Sequence, residues 1–134
     1  YIKKIQIEAR IFGDICINHI IPVATRYQSQ LLENVCKIKE IFPSETSEQL
    51  NVNNIKLIKQ ISEHTSYITA NVEKLIETRK VANILADERE KAIAYSETVL
   101  PYFSPIRANA DELELIVDDE LWPLPKYREM LFIR

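Results

Sequence analysis

Between residues 20 and 42 the apolar side chains fall at Ile20, Ala24, Tyr27, Leu31, Val35, Ile38 and Phe42, with gaps of 4, 3, 4, 4, 3 and 4. That spacing draws one stripe along an amphipathic helix. The stripe is expected to continue backwards through Ile11, Ile15 and Cys16. Pro22 lies inside it, where a proline removes one backbone bond and crowds the preceding turn, so a kink near residues 18 to 22 or a split helix is expected. Pro43 then follows Phe42, and "SETSEQ" offers polar turn residues with Ser44, Thr46 and Ser47 as N-cap candidates.

The second stripe is more regular. Ile58, Ile61, Thr65, Ile68, Val72, Leu75, Arg79 and Ala82 are separated by 3, 4, 3, 4, 3, 4 and 3 residues. A sustained 3.5-residue period is the seam of coiled-coil-like packing, and it predicts an antiparallel hairpin with the first helix. Thr65 and Arg79 are polar interruptions of that seam. From Asp87 the pattern restarts, with acids in the first turn and an end before Pro101. Ser104-Pro105 has the form of an N-cap followed by the first helical residue, opening a further helix with Ile106, Leu113, Ile116 and Val117 on its inner side. These pieces should return along the hairpin as a third layer. The expected fold is all-α: an elongated helical bundle on a long antiparallel hairpin, with shorter helices and a C-terminal tail containing tryptophan and prolines.

Composition narrows the function more than the fold. At 134 residues the chain is expected to form a single helical domain over 1–134, and a first residue of Tyr suggests a piece of a longer protein. Hydrophobic residues make up 46% and charged residues 28%, an ordinary globular balance. A net charge of -3, with only Lys3, Lys4 and Arg10 near the start, makes no electrostatic case for nucleic acid or an anionic membrane. The longest apolar run, "ICINHIIPVA", falls short of the roughly 18 residues of a membrane span. Gly13 is the only glycine, so phosphate-cradling and dinucleotide-binding loops, which need several, cannot be built.

Candidate chemistry is thin. His19 and His64 are the only histidines, and the positions three residues before them hold Cys16 and Ile61 where a di-iron bundle site needs Glu. Cys16 and His19 are within one helical turn, but on an apolar helix a buried structural thiol is the simpler expectation. Cys16 and Cys36 are 20 residues apart, about 30 Å along one helix, which predicts free thiols and a cytoplasmic protein. The acids Asp111, Glu112, Glu114, Asp118, Asp119 and Glu120 form a run that fits a solvated face or a turn cap better than a metal site. No catalytic, cofactor-binding or metal-ligating residue is assigned.

The tail "LWPLPKYREMLF" is the remaining candidate site. Pro123 and Pro125 pre-set the backbone, so less entropy is lost when Trp122, Leu124, Tyr127, Leu131 and Phe132 are ordered against a surface. That surface is either the bundle itself or a part of the protein outside this chain, and the sequence leaves both open.

The same tail, "VDDELWPLPKYREMLF", resembles the C-terminal signature of type III glutamine synthetases, the large bacterial branch of that family. "EARIFGDICINHIIPVATRYQSQLLENV" (8 to 35), "LIKQISEH" (57 to 64), "ETRKVAN" (77 to 83) and "DELELIVDDELWPLP" (111 to 125) are similar to family sequence in the same order. Residues 43 to 54 are the least distinctive. The resemblance implies a parent that is an ATP-dependent glutamate–ammonia ligase using Mg or Mn, with catalytic domains preceding residue 1. It implies no cofactor in this fragment, which should be inactive alone. As partners it implies the catalytic domain of the same chain and neighbouring subunits of a homo-oligomer, with neither nucleic acid nor membrane. The function expected on this basis is that of a C-terminal structural and assembly domain. An independent helical adaptor or regulatory binder is the alternative.

Overall fold

The computed structural model describes residues 2–118 and Leu121. Among them there are helices and no strand. The first long rod comprises α1 (Ile2–Ile15), a π-turn (Cys16–Ile20) and α2 (Ile21–Ile41). A short α3 (Ser44–Leu50) leads into α4 (Val52–Ile84), whose 33 residues make a rod of about 50 Å. The third strip comprises α5 (Glu88–Ala94), a second π-turn (Tyr95–Val99), a 3₁₀ turn (Leu100–Tyr102) and α6 (Phe103–Ile116).

Side-chain bonds fix the direction of each rod. Gln6 donates to Asn83 at 2.7 Å, Gln28 to Ser62 at 2.7 Å, and Asn51 to the carbonyl of Val35 at 3.4 Å. As residue numbers rise along the first rod their partners on α4 and at its N-cap, Asn51, fall, so the two rods are antiparallel. His64 meets Asn109, and Tyr95 meets Asn83, so the third strip runs back along α4 beside the first rod. Phe12 and Phe103 close the triangle, with ring centroids 5.6 Å apart and planes at 47°. The expected hairpin and third layer are both present.

The core lies along α4. Ile61, Ile68, Val72, Leu75 and Ala82 are almost fully buried, together with Cys16, Ile20 and Ala24 from the first rod. Ile106, Leu113 and Val117 seal the other side, as their spacing predicts. The two polar interruptions of the α4 seam are accommodated differently. Thr65 turns its hydroxyl back to the Ile61 carbonyl at 2.8 Å, which satisfies it within the helix. Arg79 lies at a groove beside α1.

Three expectations change form. Pro22 neither splits the rod nor ends it. The Ile21 N–H bonds to the Cys16 carbonyl five residues back, and the backbone stays helical on both sides. The wider π-turn makes room where the proline ring would crowd the Asn18 carbonyl. Ser104-Pro105 does not start a helix: α6 begins at Phe103, with no side-chain cap on Tyr102. Pro101 is taken up in the 3₁₀ turn just before it, so helical backbone is already running when Ser104 is reached. "SETSEQ" is itself the helix α3 rather than a turn, and none of Ser44, Thr46 and Ser47 is its N-cap. Pro43 holds that position, and Ser47 is buried and donates to the Ser44 carbonyl at 3.0 Å. The stop at Phe42 and the restart at Asp87 are as expected; Asp87 caps the new helix by accepting from the Glu90 N–H at 3.1 Å.

Candidate functional site

The tail residues Trp122, Pro123, Leu124, Pro125, Tyr127, Leu131 and Phe132 lie outside the described residues. Asp119 and Glu120 lie outside them as well.

The candidate nucleophile is sealed. Cys16 is fully buried, and burial pushes its thiol from an ordinary 9.0 up to about 11, because the thiolate would lose its hydration. His19 points away from it into solvent, 3.9 Å from Asp14. The π-turn starts at Cys16 and carries His19 on its exposed side, so their closeness in sequence does not become a catalytic pair. Cys36 is exposed and unbonded. His64 makes a polar tie between α4 and α6: its Nδ1 is 2.8 Å from the Asn109 Oδ1. The Asn109 amide donates to the Pro105 carbonyl at 2.9 Å, so Nδ1 is the donor to Oδ1. Asp111, Glu112 and Asp118 are exposed and Glu114 half-buried. Among the described residues no group of three or more His, Cys, Asp or Glu side chains is placed to hold a metal ion.

Two features went unforeseen. The first is a polar clamp across all three rods, in which Gln6 donates to Asn83 and to the Tyr95 hydroxyl, and that hydroxyl donates to Asn83. Tyr95 is itself fully buried, so its hydroxyl needs this partner. No local pattern marks Gln6, Asn83 and Tyr95 as neighbours.

The second is an apolar ridge. Ile11 was expected on the buried stripe, yet it is 54% exposed, and Ile7 one turn earlier is 55% exposed. The buried stripe of α1 passes instead through Ile5, Ala9 and Gly13. Ile11 is two residues from both Ala9 and Gly13, about 200° around the helix. The i, i+4 pair of Ile7 and Ile11 was readable as a second stripe.

A groove lies on each side of the ridge. One, of about 560 Å³, runs between α1 and α4 past Ile7, Arg10, Leu75, Ile76 and Arg79. The other, of about 580 Å³, runs between α1 and the start of α6 past Phe12, Ile15, Leu100, Phe103 and Arg107. Ile11 lines both. Such a surface suits contact with another apolar body better than small-molecule chemistry.

A family model described as the glutamine synthetase C-terminal domain matches residues 1–39, which form most of the first rod. The glutamine synthetase of Bacteroides fragilis is 52% identical over all 134 residues of the chain. The family resemblance is to the glutamine synthetases. The type-3 glutamine synthetase of Dictyostelium discoideum also aligns along the whole chain, at 28% identity. The resemblance seen in the sequence to the type III C-terminal segment is borne out. The chain spans 18% of the length of each of these relatives. No described helix is long and apolar enough to cross a membrane.

Proposed function

We propose that this chain is the C-terminal helical domain of an ATP-dependent glutamate–ammonia ligase, and that it serves assembly rather than chemistry. The 52% identity to a glutamine synthetase over the whole of this chain carries the reading. The described surface supports the assembly half: its chemistry-bearing side chains are buried, engaged in structural bonds or scattered, while an apolar ridge with flanking grooves is open. ATP and Mg or Mn would be held by the parent's other domains, in the cytoplasm. The described residues fit neither group, lacking both a metal-donor cluster and a glycine-rich loop. A bundle of this kind braces the catalytic domain or a neighbouring subunit of a homo-oligomer. Similarity along the whole chain favours this reading over that of an unrelated adaptor.

Deleting residues 1–134 from the parent tests the role. Mass photometry should then record smaller assemblies, or soluble yield should fall, while the catalytic residues remain present for γ-glutamyl transfer assays. An assembly of unchanged size and solubility would remove the proposed role.

A further inference from the structure

We propose that the tail, residues 122–134, continues the third strip beyond α6 and covers the open end of the α2–α4 hairpin in its own chain. The three rods do not end together. α6 runs antiparallel to α4 and meets it at Asn109 and His64, so Ile116 is level with about residue 57 of α4. Gln28 donates to the Ile58 carbonyl at 2.9 Å, which brings α2 to the same level there. From that point α2 runs on to Ile41, and α3 turns back into the start of α4. The helices of the third strip stop short of this end. The apolar stripes do not. Along α2, Ile20, Ala24 and Val35 are buried, but Ile38 is half-buried, Phe42 41% exposed and Ile41 73% exposed. Ile41 follows Ile20 in steps of seven through Tyr27 and Asn34, on the side that Ile20 and Tyr27 turn to the core. On the other rod Ile61 and Ile68 are fully buried, Leu57 is half-buried and Leu50 is 49% exposed. These side chains form an apolar face that lacks the third wall found along the rest of the bundle.

Connectivity, length and charge select the tail. Leu121 packs against the core, so residue 122 starts at the edge of the open end. Residues 122–134 span about 20 Å as a helix and about 45 Å extended. The stretch of α2 from Gln28 to Ile41 is also about 20 Å long, so either form reaches Phe42. A tethered segment acts at an effective concentration in the millimolar range, whereas a separate chain bears the full cost of association. Around the open end Glu33, Glu40, Glu45 and Glu48 offset Lys37, Lys39, Lys56 and Lys59. The surplus comes from Asp111, Glu112, Glu114 and Asp118 at the end of α6, with no base between Arg107 and Lys126. The tail brings Lys126, Arg128 and Arg134 against Glu129 alone, together with Trp122, Leu124, Tyr127, Leu131 and Phe132. A second copy of the same end would set its acidic surplus against another. The ridge at Ile7 and Ile11 is a poorer target, since it lies beside Arg10 and Arg79, roughly 30 Å back along α4.

The test uses the full-length protein that carries residues 1–134, with photoreactive benzoylphenylalanine in place of Phe132. A control carries the same probe in place of Ile84, which is 80% exposed at the opposite end of α4. Subunits labelled with ¹⁵N are co-expressed with unlabelled ones, so that mass spectrometry separates crosslinks within one chain from crosslinks between chains. The probe at 132 should capture peptides from residues 27–57 of its own chain, at least about tenfold more often than the probe at 84 does. Ile41→Glu with Leu50→Glu, at two exposed positions that the fold does not bury, should cut that yield by about tenfold or more. Ile7→Glu with Ile11→Glu should leave it unchanged. Crosslinks between chains, crosslinks to α1 or to any part of the protein outside residues 1–134, a yield no higher than the control, or indifference to the glutamates at 41 and 50 would each overturn the proposal. The assembly role is tested separately by the deletion above and stands or falls without it.

Discussion

Pro22 and Pro101 each follow a π-turn by the same interval, yet the chain leaves the two joints differently. In both, the residue before the proline donates its N–H to the carbonyl five residues back, Ile21 to Cys16 and Leu100 to Tyr95. In both, the first and last residues of the π-turn are buried, Cys16 and Ile20 in one, Tyr95 and Val99 in the other. After Ile20 the α-helix resumes at once; after Val99 a tighter 3₁₀ turn comes first. A π-turn packs in an extra residue per turn and a 3₁₀ turn takes some out, so the second joint rewinds what it has unwound. The first joint leaves the slack, and its core positions Gly13, Cys16, Ile20 and Ala24 continue in steps of 3, 4 and 4. The second joint is also tied by the Tyr95 clamp, which the first lacks. A proline inside a stripe buried on both sides changes the winding of a helix, whereas Pro43, next to an exposed Phe42, ends one.

The largest separation between the joints should come from their anchor residues. Tyr95→Ala is expected to lower unfolding stability by about 3–5 kcal/mol, since it empties a fully buried aromatic site and breaks the clamp. Cys16→Ala removes one small buried group and should cost about 1–2 kcal/mol. Equal losses in urea unfolding would mean that the clamp adds nothing. Cys16 also gives the first joint a pH signature of its own. Its folded-state pKa, about 11, lies above its ordinary 9.0, so the unfolded chain gives up the proton first as pH rises. Its contribution is fully present below pH 9 and should be lost as pH climbs through about 11. Melting curves of wild type and Cys16→Ala should therefore converge over that window, and parallel curves would contradict the burial argument.

A smaller effect tests the slack at the first joint. A Cβ on Gly13 would lie 3.7 Å from the Val72 Cγ1, an ordinary contact, and nothing in the local backbone demands glycine. Gly13→Ala should then stabilise by about 0.5–1 kcal/mol through helix propensity and a less flexible unfolded chain. A loss in thermal denaturation would show α1 and α4 to be tighter than this spacing. The smallest change is expected at the prolines themselves. In an ordinary helix interior, proline to alanine would gain about 3 kcal/mol. Pro22→Ala and Pro101→Ala should each stay within about 0.5 kcal/mol, because the π-turns already accommodate the rings. A gain near the full value at one joint but not the other would show which π-turn is held by packing alone.

The hairpin was legible because Ile61, Ile68, Val72, Leu75 and Ala82 keep one period for many turns, and only close packing of long helices satisfies it. The inner face of α6 was legible for the same reason. Pro22 marked the place of the first joint but the winding of neither joint was legible, because a proline's local preference is to end a helix, and burial of Cys16, Ile20, Tyr95 and Val99 outweighs that preference only once the fold exists. Ser104-Pro105 misled in the same way, since its cap signal sits where the backbone is already helical. The clamp of Gln6, Asn83 and Tyr95 spans 77 residues between Gln6 and Asn83, a separation that no periodicity encodes. The ridge was half legible: Ile7 and Ile11 were visible as apolar, but which of the two stripes on α1 turns inward depends on where α4 lies.

Since α4 is the shared wall of both neighbouring rods, neither half of the molecule owns a private interior. Cutting the chain anywhere along that wall would strip the lining from both sides together. The bundle should accordingly melt as a single cooperative block, and any load taken at one tip would be transmitted to the opposite tip along that common beam.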